Sequence, residues 1–255
     1  MRVRAYVIGI GTGDPAQLTG EAVAAMNEVD VFLITDKGET TGELGERRRS
    51  ICRSVIAHDR YRLIDVQDPP RDRSAGDYGG AVRDWHAARS GRWAELIKRE
   101  LPAGGTVGLL VWGDPAFYDS TIRVVRSLAG HGLPVELRVV PGLSSLQLLA
   151  ARHQITLNQI GGSVHVTTGR RLVEEYDPRF TDVVVMLDGD LACSRLVAEH
   201  PDLEIYWGAQ LGLPGEALIA GRLSAVLGDV RRRRAAVRAR DGWVMDTYLL
   251  RRPVS

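Results

Sequence analysis

Three short segments of this chain combine glycine with acidic or hydroxyl side chains. They are Gly9–Thr19 (GIGTGDPAQLT), Gly113–Tyr118 (GDPAFY) and Val140–Ser145 (VPGLSS). Glycine lets the main chain approach a ligand closely, and an aspartate accepts hydrogen bonds from hydroxyl or amino groups. Together the segments predict places where a small molecule lies against bare backbone.

The first segment does not match a dinucleotide-binding fingerprint. A GxGxxG pattern beginning at Gly9 would need its third glycine where Asp14 stands, and Asp14 puts negative charge where a pyrophosphate would lie. We therefore expect either a turn that faces a phosphate-free ligand or a structural turn between strand and helix. Structural alternatives exist for the other two segments as well: Asp114 in a turn before a helix, and Ser144 as a helix N-cap.

The three segments follow predicted strands. In the first half, short apolar runs at 6–10, 31–34, 61–66, 107–112 and 135–140 alternate with helical periodicity, which is typical of a mainly parallel sheet. The second half predicts strands at 164–168, 182–187, 203–208, 217–221 and 243–250 with shorter helices, which favours a mixed sheet. The predicted fold class is α/β with two α/β domains, 1–143 and 144–255, and an active-site cleft between them. The polar stretch Gln67–Gly76 is expected to be a surface loop.

Composition excludes several classes of partner. The 255 residues include 33 Lys and Arg against 32 Asp and Glu, so a net charge of +1 provides no overall field for nucleic acid or an anionic membrane. Cys52 and Cys193 are far apart and form no CxxC pair, so we expect reduced packing residues and no metal site. No targeting or membrane-spanning segment is visible, which predicts a cytoplasmic protein.

The three segments together resemble the tetrapyrrole methylases, a family that uses S-adenosylmethionine to methylate porphyrinoid intermediates. Its members carry a first loop like GxGxGDPxxLT, a GDPxxY loop and a VPGxSS turn, here in the family's order and spacing. Features outside these loops, including Thr35–Glu39 and Met186–Gly189, resemble the branch that acts in cobalamin biosynthesis. The activity implied is methylation of carbon 1 of precorrin-5 with release of acetate, and a homodimer is the implied assembly.

The resemblance also implies contacts with S-adenosylmethionine, or with its product S-adenosylhomocysteine. By matching positions, the contacting residues are Thr12, Trp112, Gly113, Asp114, Phe117, Ser144, Ser145, Leu187, Ala209 and Leu211. Thr12 stands where many relatives have proline, and Leu187 where they usually have methionine beside the adenine.

Catalysis by such a protein depends mainly on alignment, because a sulfonium methyl group is already activated. Release of acetate consumes water, so a general base has a place in that step. The candidate catalytic residues are Asp36, Lys37 and Tyr118, and the candidate substrate-binding residues are Asp14, His86 and Arg89. The alternatives are a surface turn for Asp36 and Lys37 and a structural role for His86.

Three other functions stay open at the level of sequence. A precorrin or uroporphyrinogen C-methyltransferase without deacetylation would carry the same loops. An NAD-binding oxidoreductase would explain the first loop and an acidic residue near Asp36, but not the other two loops. A non-catalytic corrinoid carrier would need no cofactor loops.

Overall fold

The computed structural model describes residues 2–36, 42–69 and 78–253. The chain divides into two compact units, residues 1–143 and 144–255, called unit 1 and unit 2 below. Each unit is built around one five-stranded sheet, and the sheets confirm the predicted α/β class.

Unit 1 contains a wholly parallel sheet in the order β3-β2-β4-β1-β5. Its strands are β1 (Val3–Gly9), β2 (Val31–Asp36), β3 (Arg62–Gln67), β4 (Gly105–Val111) and β5 (Val135–Val140). Its helices are α1 (Gly20–Met26), α2 (Gly42–Val55), α3 (Tyr78–Glu100) and α4 (Thr121–Ser127). Thr19 begins α1 by accepting a hydrogen bond from the Ala22 N–H on its side chain.

The helices of unit 1 cover opposite faces of this sheet. Alternation along β2 sends Phe32 and Ile34 into a core with α1 and α2, and sends Val31 and Leu33 into a core with α3 and α4. The connections after β1 and β2 therefore leave to one face, while those after β3 and β4 leave to the other. β4 lies between β2 and β1, so the carboxyl end of β4 is a topological switch point, where open α/β sheets bind ligands.

Unit 2 contains the predicted mixed sheet, in the order β6-β7-β10-β8-β9. Its strands are β6 (Val164–Thr168), β7 (Asp182–Met186), β8 (Glu204–Ala209), β9 (Ala217–Arg222) and β10 (Asp246–Arg251). β6 and β7 pair in parallel and the remaining neighbours pair antiparallel. Its helices are α5 (Ser145–His153), α6 (Gly169–Glu175) and α7 (Leu223–Asp241).

No helix in the described parts of the chain is both long and apolar enough to span a membrane.

Both cysteines are free thiols in hydrophobic cores, as the sequence predicts. Cys52 packs between α2 and the sheet of unit 1, and Cys193 packs in the core of unit 2; neither is exposed. Burial raises the pKa of each thiol to about 12. The reactive thiolate is therefore scarce at neutral pH.

This burial predicts that Ellman's reagent will not titrate either thiol of the native protein at pH 8. Only about one thiol in ten thousand is ionised there, and reagent access is blocked as well. Two thiols per chain should react at once in guanidinium chloride, which serves as the positive control. Rapid reaction of one thiol in the native protein would contradict the buried positions.

Candidate active site

The loops after β1, β4 and β5 meet through glycine backbone at the carboxyl edge of the unit 1 sheet. Gly113 N donates to Gly11 O at 2.6 Å, and Gly11 N donates to Gly113 O at 3.3 Å. A Cβ on Gly9 would lie 2.5 Å from Gly142 N, and one on Gly142 would lie 2.3 Å from Gly113 O. No side chain fits at these contacts. Glycine at positions 9 and 142 therefore allows the backbones of the loops to pack directly against one another.

The two Asp-Pro pairs build similar local turns. Oδ1 of Asp14 accepts the Ala16 N–H at 2.9 Å, and Oδ1 of Asp114 accepts the Ala116 N–H at 2.8 Å. Oδ2 of Asp114 also accepts the Gly142 N–H at 3.0 Å, which joins the second loop to the third. Thr12 donates to Oε1 of the buried Gln17 at 2.8 Å, which holds the first loop closed.

A polar cavity of about 350 Å³ lies in unit 1 between β2 and β4. The two strands pair only at Val31–Val107 and Phe32–Gly108 and then diverge. Arg48 from α2 enters the gap, where its Nε donates to the carbonyl of Leu110 at 3.1 Å. Its guanidinium lies over the ring of Trp112, 5.1 Å from the centroid. The cavity is therefore a consequence of the strand divergence, and Arg48 satisfies a carbonyl that the divergence leaves without a strand partner.

The charged lining of this cavity favours an anionic ligand. Among the described residues that line it, Arg48, Arg89 and Arg123 are basic and Asp119 is acidic. Asp119 already accepts the Thr121 N–H on Oδ1 at 2.6 Å. The predicted residues His86 and Tyr118 also line the cavity.

Arg89 is almost completely buried in the cavity wall and forms an ion pair that the sequence did not predict. Its Nε lies 2.7 Å from Oδ1 of Asp68, and both side chains are 7% exposed. Asp68 directly follows β3, in a stretch that we expected to be a surface loop, so that prediction is wrong for Asp68. Its place directly after a strand of the parallel sheet was the available signal, since the carboxyl ends of parallel strands lie at the same edge as the other loops.

The remaining candidates of unit 1 are distributed around this edge. Phe117 and Tyr118 are exposed, and Tyr118 has a φ of +50°, a strained left-handed backbone. Asp36 ends β2, where it is paired with Gln67. Lys37 lies outside the described residues.

The two serines of the third segment are bonded within unit 2. Ser144 is buried at the N-terminus of α5, where Oε1 of Gln147 accepts hydrogen bonds from its N–H at 2.7 Å and from its Oγ at 2.6 Å. Oγ of Ser145 accepts a hydrogen bond from Thr247 at 2.8 Å. Ser144 thus occupies the N-cap position of α5 and is linked to Gln147 in a capping box, which matches the structural alternative for this residue.

Leu187 presents an apolar side chain on a rigid turn after β7. It is 67% exposed and has a φ of +52°. The next residue, Asp188, is buried and accepts three hydrogen bonds, from Asp190 N, Ala192 N and the Tyr248 hydroxyl. Burial raises the pKa of Tyr248 well above its usual value, so the phenol remains a donor. The exposed leucine on this braced turn suits contact with a flat apolar ring.

Ala209 and Leu211 differ from Leu187 because both side chains lie in the core of unit 2. Any contact from these positions to a ligand would be made by their backbone.

Comparison with known proteins identifies the family. Residues 4–227 match the sequence model of the Tetrapyrrole (Corrin/Porphyrin) Methylases. The chain belongs to this family. The match confirms the resemblance drawn from the three glycine segments.

Two relatives are similar over nearly their whole length. Precorrin-6A synthase (deacetylating) of Sinorhizobium sp is 44% identical over 247 residues, 96% of this chain and 94% of that protein. A cobalamin synthesis related protein (CobF) from Corynebacterium diphtheriae has a solved structure with a TM-score of 0.83 and 34% identity, covering 98% of this chain and 99% of that one.

A more distant methylase shares the fold. Uroporphyrin-III C-methyltransferase of Thermus thermophilus, solved in complex with S-adenosyl homocysteine, has a TM-score of 0.58 and 20% identity over 97% of this chain and 91% of that one.

The glycine contacts predict that Gly142→Ala and Gly9→Ala each destabilise the protein by about 1–3 kcal/mol or more, because the new methyl group meets backbone that must shift. Gly20→Ala is the matched control, since nothing lies within 4 Å of its Cβ position; it should change stability by less than about 1 kcal/mol. Urea unfolding measures all three. Equal stability of the three variants would contradict the backbone contacts.

Proposed function

We propose that this protein is an S-adenosylmethionine-dependent methyltransferase that methylates carbon 1 of precorrin-5 and releases acetate, giving precorrin-6A. The observation that carries the proposal is the 44% identity to a deacetylating precorrin-6A synthase over 96% of this chain. The arginine-lined cavity supports it, because a precorrin carries several carboxylate side chains.

The residues present fit the cofactor. The segments Gly9–Thr19 and Gly113–Tyr118 contain Asp but no Lys or Arg, which suits a cation without phosphate. Leu187 offers exposed apolar surface for an adenine ring. We assign the cofactor contacts to Thr12, Trp112, Gly113, Asp114 and Phe117 in unit 1, and to Ser144, Ser145, Leu187, Ala209 and Leu211 in unit 2.

In the reaction, the cofactor supplies an activated methyl group bound to sulfur. The chain's own task is alignment, and the hydrogen-bonded glycine loops provide a rigid edge for it. Asp36 and Tyr118, together with Lys37, are proposed to move protons in the water-consuming release of acetate. Asp14, His86 and Arg89 are proposed to bind the precorrin.

Location in the cytoplasm and a homodimeric assembly are part of the proposal. The homodimer rests on the family resemblance, and the cytoplasmic location is the expectation drawn from the sequence.

The first test supplies precorrin-5 and S-adenosylmethionine labelled in its methyl group. We expect label in the macrocycle and one acetate released per methyl transferred. A methylated product without acetate would instead indicate a different C-methyltransferase. Binding of NAD but not of S-adenosylhomocysteine, measured by calorimetry, would contradict the methyltransferase proposal.

A second test separates the two steps. Asp36→Asn and Tyr118→Phe should each slow acetate release by at least about 10-fold, since positioned proton transfer contributes about 10²–10⁴-fold. Methyl transfer should fall less, because it depends on alignment. Asp59→Asn, on an exposed residue after α2, is the control. The assignment fails if acetate release by both variants stays within threefold of the wild type.

A further inference from the structure

The buried guanidinium of Arg89 is held on several sides before any ligand binds. Residues 85, 89 and 93 are four apart on α3, which places their side chains on one helix face. The guanidinium carbon lies 4.9 Å from the centroid of the Trp85 ring and 4.6 Å from that of Trp93. Asp68 lies 2.7 Å from its Nε, and Nη1 donates to Ser120 Oγ at 3.4 Å.

These contacts fix the plane of the guanidinium and leave donors for a ligand. The ion pair with Asp68 is made on the Nε side of the guanidinium, and Nη1 donates one hydrogen bond to Ser120. Of the five N–H donors of Arg89, those of Nη2 have no partner among the described residues. The side chain lines the cavity, so the remaining donors are positioned there without further loss of side-chain freedom.

The ion pair with Asp68 does not fully compensate for the burial of Arg89. Burial lowers the pKa of Arg89 even though Asp68 and Asp119 both raise it. An arginine remains charged under these conditions. The cavity wall therefore holds a cation that a further anion would stabilise, and Arg48 and Arg123 add to the same field.

We propose that Arg89 and Ser120 form a binding site for one carboxylate group, and that Asp68 is a positioning residue that orients the Arg89 guanidinium. The proposal rests on the proposed function, because two carboxylates of that reaction fit the site. One is a side-chain carboxylate of the macrocycle, and the other is the departing acetate. The cavity of about 350 Å³ has room for a carboxylate group from either source.

Two variants test the site and one controls for the helix. Arg89→Lys keeps the charge but loses the planar fork, and Asp68→Asn keeps the shape but loses the charge. Arg99→Lys is the control, because Arg99 lies on the same helix with its side chain 69% exposed and paired with Glu100. Affinity for S-adenosylhomocysteine should stay within twofold in all three, which separates a local effect from misfolding.

The first readout does not depend on the proposed activity. Uroporphyrin I, a macrocycle with eight carboxylates, and sodium acetate are titrated against the protein while tryptophan fluorescence is followed. We expect at least one of these probes to bind about 10-fold more weakly to Arg89→Lys and about 3-fold more weakly to Asp68→Asn, with Arg99→Lys within twofold of the wild type.

The second readout identifies the source of the carboxylate. If it belongs to the macrocycle, Arg89→Lys raises KM for precorrin-5 about 10-fold, with kcat and the acetate-to-methyl ratio unchanged. If it is the departing acetate, KM stays within twofold, and acetate release falls behind methyl transfer. Either result supports the site.

The site is overturned if both probes, KM and the acetate-to-methyl ratio of Arg89→Lys all stay within twofold of Arg99→Lys. The positioning role of Asp68 is overturned if Asp68→Asn matches the wild type while Arg89→Lys is impaired. If Arg89→Lys does not fold, Ser120→Ala takes its place, with a twofold to fivefold weakening expected. Should the wild type fail to methylate precorrin-5, the proposed function fails, and the two probes alone decide the carboxylate site.

Discussion

Direct contact between backbones is the constraint on which the carboxyl edge of the unit 1 sheet depends. Gly9 and Gly142 lie so close to each other and to Gly113 O that a Cβ on either would displace main-chain atoms. The reciprocal hydrogen bonds of Gly11 and Gly113, and the bond from Gly142 N to Asp114, hold the loops together. Loops that would otherwise be mobile thus become a rigid part of the sheet, and rigid support is what a reaction limited by alignment requires.

The divergence of β2 and β4 leaves a cavity between the two strands. Where the two strands stop pairing, an arginine satisfies an otherwise orphaned carbonyl, and the gap becomes a cavity with positive walls. Burying a guanidinium in such a wall is costly unless ion pairs, ring faces and hydrogen bonds offset the lost hydration. Asp68 and two indoles provide that offset for Arg89.

In unit 2, the apolar side chain of Leu187 is exposed on a backbone with a positive φ. The positive φ of Leu187 costs on the order of 1–3 kcal/mol. The buried Asp188, with three hydrogen bonds including that of Tyr248, holds the turn in this geometry. The strained turn is therefore supported by hydrogen bonds from the core of unit 2.

The sequence by itself determined the fold class, the two kinds of sheet and the family, because periodicity and the three glycine motifs are local patterns. It also predicted a substrate-binding role for Arg89, which lines the cavity of unit 1. Only the tertiary structure decided what these residues contact. Gly9 and Gly142 face each other, Asp68 is buried against Arg89, and Ala209 and Leu211 lie in the core. Such contacts join residues that are distant along the chain, and their identity depends on which strands are neighbours and where they diverge, which no local pattern encodes.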